Sequence, residues 1–120
     1  MDYVQAIATS GGFSVQPITG EVPGSGFMVA IFKGVERVVA QAEFSGQLVA
    51  DFVGQHAALF QAAENAFLGG WLDGGQVYLD VSVNVPTLEA ALELGREHDQ
   101  LAVYDVVANA SIDCGVGVAL

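Results

Sequence analysis

Apolar residues recur at three- and four-residue spacing from Gln47 to Phe67, at Leu48, Val49, Phe52, Val53, Leu59, Phe60 and Ala63. Gln47, Asp51, Gln55, Gln61 and Asn65 fall mostly on the other side, as in a helix with one buried stripe. Ser45 supplies an N-cap hydroxyl, and Gly69-Gly70 lies beyond the end. A second helix is predicted over Leu88 to His98. Its buried face is Leu88, Ala91, Leu92 and Gly95, with Thr87 as N-cap and Pro86 just before it.

The other apolar runs read as strands. Gly26 to Phe32 is rich in strand formers, and Lys33-Gly34 suggests a turn into Val35 to Ala42. Leu68 to Leu72 and Gln76 to Val83 flank Asp73-Gly74-Gly75, which suits a hairpin turn because glycine accepts positive φ. Within the second of these strands Val77, Leu79, Val81 and Val83 alternate with Tyr78, Asp80, Ser82 and Asn84. A period of two buries one face and leaves the other partly wet. Leu101 to Val107 is a further strand, and Ala108-Asn109-Ala110 turns the chain before Ile112. The first 25 residues are less regular: Tyr3 to Ala8 suits helix or strand, Phe13 to Ile18 is extended, and Gly20 to Gly26 is a loop. The expected order is β-β-α-β-β-α-β in one domain over residues 1–120, with no repeat or linker. This is an α+β fold, with two helices on one face of a mainly antiparallel sheet.

Composition narrows the function classes. Hydrophobic residues make 52% of the chain and 15 glycines add to them, the opposite of a disordered composition. Three Lys and Arg against 14 Asp and Glu give a net charge of −11. Lys33, Arg37 and Arg96 cannot neutralise many phosphates, which argues against sequence-independent nucleic-acid binding. The same deficit argues against attraction to anionic membranes. No uncharged run is long enough for a spanning helix, and Asp2 stands where a signal peptide carries positive charge. Cys114, the single cysteine, cannot form an internal disulfide. A cytoplasmic location follows as the simplest expectation. The acidity is uneven, at −3 for residues 1–60 and −8 for residues 61–120.

Candidate chemistry is sparse. Gly20 to Gly26 lacks the Lys-Ser/Thr ending of a phosphate loop and runs into a strand, and Gly115-Val-Gly117 has no helix after it. His56 lies on the apolar stripe between Phe52 and Phe60, and His98 lies at a helix end, so neither belongs to a close ligand motif. No metal site and no cofactor is expected. Cys114 has no nearby cation in sequence to activate it. The polar cluster Arg96-Glu97-His98-Asp99-Gln100 reads as a solvated helix end, since adjacent helical residues point in different directions. Asp80 and Asp105, both on strands, would face each other if those strands are neighbours, and His98 completes the set a small enzyme would use. Glu89, Glu93 and Glu97 recur every four residues on the exposed side of the second helix, a row of carboxylates about 6 Å apart. Their mutual repulsion becomes complementarity against a basic protein surface.

From Gly69 onward four runs stand in order: Gly69-Gly-Trp71, Gly75-Gln-Val-Tyr-Leu-Asp-Val-Ser82, Glu89-Ala-Ala-Leu-Glu-Leu-Gly-Arg96 and Gln100-Leu-Ala-Val-Tyr-Asp105. With them the chain resembles a group of small proteins encoded by actinobacteria, their phages and integrated mobile elements. Gly26-Phe-Met-Val-Ala30 and Glu43-Phe-Ser45 fit the same outline more weakly. The resemblance implies a genomic context, and with it the host cytoplasm or a virion, but no reaction and no catalytic residue.

Three functions are compatible with these features. The first is a non-enzymatic, acidic accessory protein that binds a host or phage protein through Glu89, Glu93 and Glu97 and modulates host machinery or defence. The second is a virion structural or capsid-decorating protein. The third is a small enzyme using Asp80, Asp105 and His98. The apolar excess also predicts self-association into a homo-oligomer.

Overall fold

A computed structural model describes residues 1–32, 34–63 and 65–115. The chain opens with helix α1 (Tyr3–Ser10), which resolves the N-terminal segment as helical. The Asp2 carboxylate accepts from the Gln5 N–H at 3.0 Å and supplies its N-cap. Strand β1 (Gly12–Val15) follows directly, then a loop, strand β2 (Phe27–Val29) and strand β3 (Arg37–Ala40). The third strand is shorter than Val35 to Ala42, because a 3₁₀ turn takes Gln41–Glu43. Of the expected Lys33-Gly34 turn, Lys33 lies outside the described residues, as do 116 and 117 of the C-terminal glycine segment.

The long helix predicted over Gln47 to Phe67 is two helices, α2 (Gly46–Gln55) and α3 (Ala57–Ala62). Ser45 caps the first as expected, accepting from Leu48 N–H at 3.2 Å. The break is at His56, whose backbone sits at φ −116°, ψ 22°, outside the helical well. Its N–H still reaches the carbonyls of Phe52 and Val53, so the kink leaves no orphan donor there. The apolar stripe continues across the break, which is why periodicity alone reads through it. Phe67 belongs to the next strand, β4 (Ala66–Asp73), which starts before Leu68.

β4 and β5 (Gln76–Val85) form the central hairpin, in register from Ala66 opposite Val83 to Asp73 opposite Gln76. Gly74 and Gly75 turn the chain at φ 57° and 77°, the paired left-handed conformation of the tightest hairpin loops. Helix α4 (Leu88–Glu97) follows, with the Thr87 hydroxyl accepting from Ala90 N–H and His98 ending it as C-cap. Leu88, expected inside, is 38% exposed in the first turn, whereas Ala91 and Gly95 are buried. Strands β6 (Ala102–Asp105) and β7 (Ala110–Asp113) follow, the first shorter than Leu101 to Val107.

All the strand pairs are antiparallel, in the order β1-β4-β5-β2-β6-β7, with β3 beside the other half of β5. The molecule is therefore an α+β fold on an antiparallel sheet, with four α-helices rather than two among the described residues. Val77, Leu79 and Val81 of β5 pack with Ile7, Val49, Phe52 and Phe60, so α1, α2 and α3 cover one face. Val83 on the same face packs with Val29, Val103 and Ala91 of α4. Every helix lies on that side. The other face, carrying the even-numbered residues of β5, has no helix on it among the described residues.

Candidate functional site

The helix-free face is an open trough of about 750 Å³ that crosses the sheet from β1 to β7. Strand register sets its floor in rows. Gly12, Trp71 and Tyr78 stand abreast on β1, β4 and β5, and Ser14, Gly69 and Asp80 stand in the next row. Further along, Ser82 continues β5, and Met28 and Tyr104 carry the surface onto β2 and β6. Successive rows on one face lie about 7 Å apart, so Asp80 is within one side chain's length of the aromatic row.

The Trp71 and Tyr78 rings stack in parallel, 5.3 Å between centroids at an interplanar angle of 5°. Their neighbour Gly12 has no side chain to extend the row, and Trp71 stays 38% exposed. The two consecutive glycines of β4 serve opposite faces. A Cβ on Gly70 would stand 2.5 Å from the Phe13 ring on the core side. A Cβ on Gly69 would stand 2.5 Å from Asp80 Oδ1 on the trough side. The Asp80 carboxyl thus lies across the strand in the space where residue 69 would otherwise carry a side chain. Only glycine admits it.

Asp80 and Ser82, expected on a partly wet face, are 9% and 8% exposed. Burial pushes the Asp80 carboxyl from the ordinary 3.8 up to about 7. The nearby charge of Glu36 adds to the rise, and the Ser82 hydroxyl, donating to the carboxylate, opposes it. Asp80 is the one charged residue among the described residues that line the trough.

Asp105 does not share this site with Asp80. Its Oδ1 accepts from the N–H groups of Val107 and Ala108 at 3.1 Å each, so the carboxylate caps the turn between β6 and β7. In register Asp105 stands opposite Phe27, on the helix-covered side of the sheet. His98 ends α4 on that side as well. The three residues of the enzyme reading are therefore not gathered into one pocket. His56 packs edge-on against Phe52, 4.7 Å between ring centroids, at the α2–α3 break. Among the described residues no three His, Cys, Asp or Glu side chains form a group able to hold a metal ion.

Glu89, Glu93 and Glu97 are all exposed on α4, away from buried Ala91 and Gly95. Arg96, beside them in sequence, turns elsewhere: its Nε donates to the Cys114 carbonyl at 2.7 Å. Cys114 itself is buried, its thiol packed where a Cβ on Gly95 would come within 2.7 Å. Burial pushes that thiol's pKa up, which makes it less nucleophilic. Among the described residues no helix is long and apolar enough to cross a membrane.

The alternation Tyr78, Asp80, Ser82, Asn84 already marks one face of β5 in the sequence. What it does not carry is the neighbour across each pair. Trp71 and Gly69 join that face only through the β4–β5 register, and Ser14 only through β1. The glycine pair before the sole tryptophan is the one local signal of a close approach on both faces. No protein-family model, curated protein or solved structure matches this chain.

Proposed function

We propose that the chain works by binding rather than by catalysis, as an acidic accessory protein of the phage or mobile-element kind that docks on a basic surface of another protein in the host cytoplasm. The observation that carries this reading is the exposed row Glu89, Glu93 and Glu97 on α4, whose neighbouring cation Arg96 is bound to the Cys114 carbonyl. Like charges four residues apart cost a helix a few tenths of a kcal/mol per pair, on the order of 0.2–0.5. A basic partner relieves that repulsion on docking and gains speed of encounter from it. Ala91 and Gly95, buried against the sheet, hold the helix so that the row is presented from a fixed base. The dispersal of Asp80, Asp105 and His98 supports binding over chemistry at those residues.

The test is affinity capture from host lysate with the native chain and with the Glu89→Gln, Glu93→Gln, Glu97→Gln triple variant. The variant keeps its fold, with unfolding free energy within about 0.5 kcal/mol of native, because the three side chains are exposed. The reading predicts a partner retained by the native chain and lost by the variant, with retention falling as salt rises. Equal recovery on both baits refutes it.

A further inference from the structure

We propose that the trough on the helix-free face is a receptor for an arginine side chain of a protein partner, with the guanidinium stacked on Trp71 and forked onto the Asp80 carboxylate. The geometry supplies both halves of that recognition. The Asp80 carboxyl occupies the space left by Gly69, two residues along from the stacked Trp71–Tyr78 pair. A planar guanidinium matches both, since it stacks on an aromatic face and pairs with a carboxylate through two parallel N–H donors. Gly12, beside Trp71, contributes no side chain to close that end of the trough.

Charge selects a cation from outside. No basic side chain among the described residues lines the trough, and its one charged group is Asp80. Arg96 is committed to the Cys114 carbonyl, and Arg37 stands opposite Leu79, on the other face of β5. A carboxylate 9% exposed and lacking a counter-charge from the lining is the costliest kind to keep ionised, so an entering cation gains what the fold does not provide. Among the described residues, the charged and titratable groups around the site are Glu36, on the segment leading into β3, Tyr78, on β5 itself, and Tyr104, across the trough on β6; Arg37 of β3 is on the other face, and the facing β4 positions carry none. With the carboxyl near 7, arginine binding expels its proton to solvent, and affinity weakens as pH falls below that value. This site is on the opposite side of the sheet from α4 and does not depend on the glutamate row.

Trp71 is the sole tryptophan, so its fluorescence reports on the trough directly. The full chain is titrated with a blocked Gly-Arg-Gly tripeptide and with its citrulline and lysine counterparts. Citrulline keeps the shape without the charge, and lysine keeps the charge without the fork. The expected result is a saturable change for the arginine peptide, with citrulline at least about tenfold weaker and lysine intermediate. Arginine affinity is expected to be about tenfold lower at about pH 6 than at about pH 8, while the guanidinium stays charged throughout. Asp80→Asn, checked for its fold by thermal melting, is expected to lose the preference for arginine over citrulline. The glutamine triple variant of α4 is expected to keep it. Coincident arginine and citrulline curves overturn the proposal, as does a folded Asp80→Asn chain that still discriminates, or a lysine peptide as strong as arginine. Because capture through α4 is measured separately, failure here leaves that reading standing, and failure of capture leaves this one.

Discussion

Replacing Asp80 with asparagine removes a charge the fold disfavours while keeping nearly the same shape. In the folded chain the carboxyl titrates near 7, against an ordinary value of 3.8, chiefly because it is buried. Between those values the unfolded chain is ionised at this residue and the folded chain is not. The unfolded state then binds fewer protons, so stability falls as pH rises. The loss begins near pH 4 and is complete above about pH 7. At about 1.4 kcal/mol for each unit between 3.8 and about 7, the full effect is about 4 kcal/mol. That is a large share of the roughly 5–15 kcal/mol that holds a domain together. Urea unfolding of the native chain and of Asp80→Asn, across a pH series, isolates it, since the other ionisable groups cancel in the difference. Asparagine's own packing adds a constant offset and no slope. The expected difference shifts in the variant's favour by about 4 kcal/mol between about pH 4 and about pH 8. A gap that stays flat between about pH 4 and about pH 8 refutes the buried, uncompensated carboxyl, and with it the argument that the trough wants a cation.

Gly69→Ala places a methyl group 2.5 Å from Asp80 Oδ1 and is expected to cost about 1–3 kcal/mol in urea unfolding. The same substitution in an Asp80→Ala background costs less, and equal costs in the two backgrounds refute the close approach. Phe52→Ala empties a fully buried position between α2 and the sheet and is expected to cost about 3–5 kcal/mol, measured the same way. A loss below about 1 kcal/mol places Phe52 outside the core.

The fold is legible where local chemistry decides the outcome. Ser45 and Thr87 cap their helices as the sequence leads one to expect, and Gly74-Gly75 turns the hairpin whose strands alternate apolar and polar. Tyr3 to Ala8 suits two states in sequence, and Asp2 and Gly11 at its ends resolve it to helix. His56 shows the reverse: both flanks of the stripe are helical in pattern, so the break is invisible until the two segments pack against one sheet. Likewise, Asp80 and Asp105 look equivalent as strand carboxylates. One is held across a glycine and the other caps a turn, because register assigns them to opposite faces.

The net charge of −11 arises from a scarcity of Lys and Arg, and the trough is where that scarcity has a structural consequence. In a chain with ordinary numbers of bases, a buried strand carboxylate is paired by a neighbouring cation and becomes part of the scaffold. Here the neighbours of Asp80 are a glycine, a serine hydroxyl and an acidic group; Arg96 donates to the Cys114 carbonyl, and Arg37 stands opposite Leu79 on the other face of β5. The fold therefore tolerates Asp80 mainly as the neutral acid, which needs a hydrogen bond and no counter-ion. Trp71 and Tyr78 beside it add two aromatic rings, and aromatic faces also favour cations. The helix-covered face is closed by packing, whereas this one is left wanting a positive charge. That asymmetry separates a wet sheet face from a site. It also explains why a charge count taken over the whole chain misses it: the decisive quantity is that, among the described residues, no base lines the trough that holds this carboxyl.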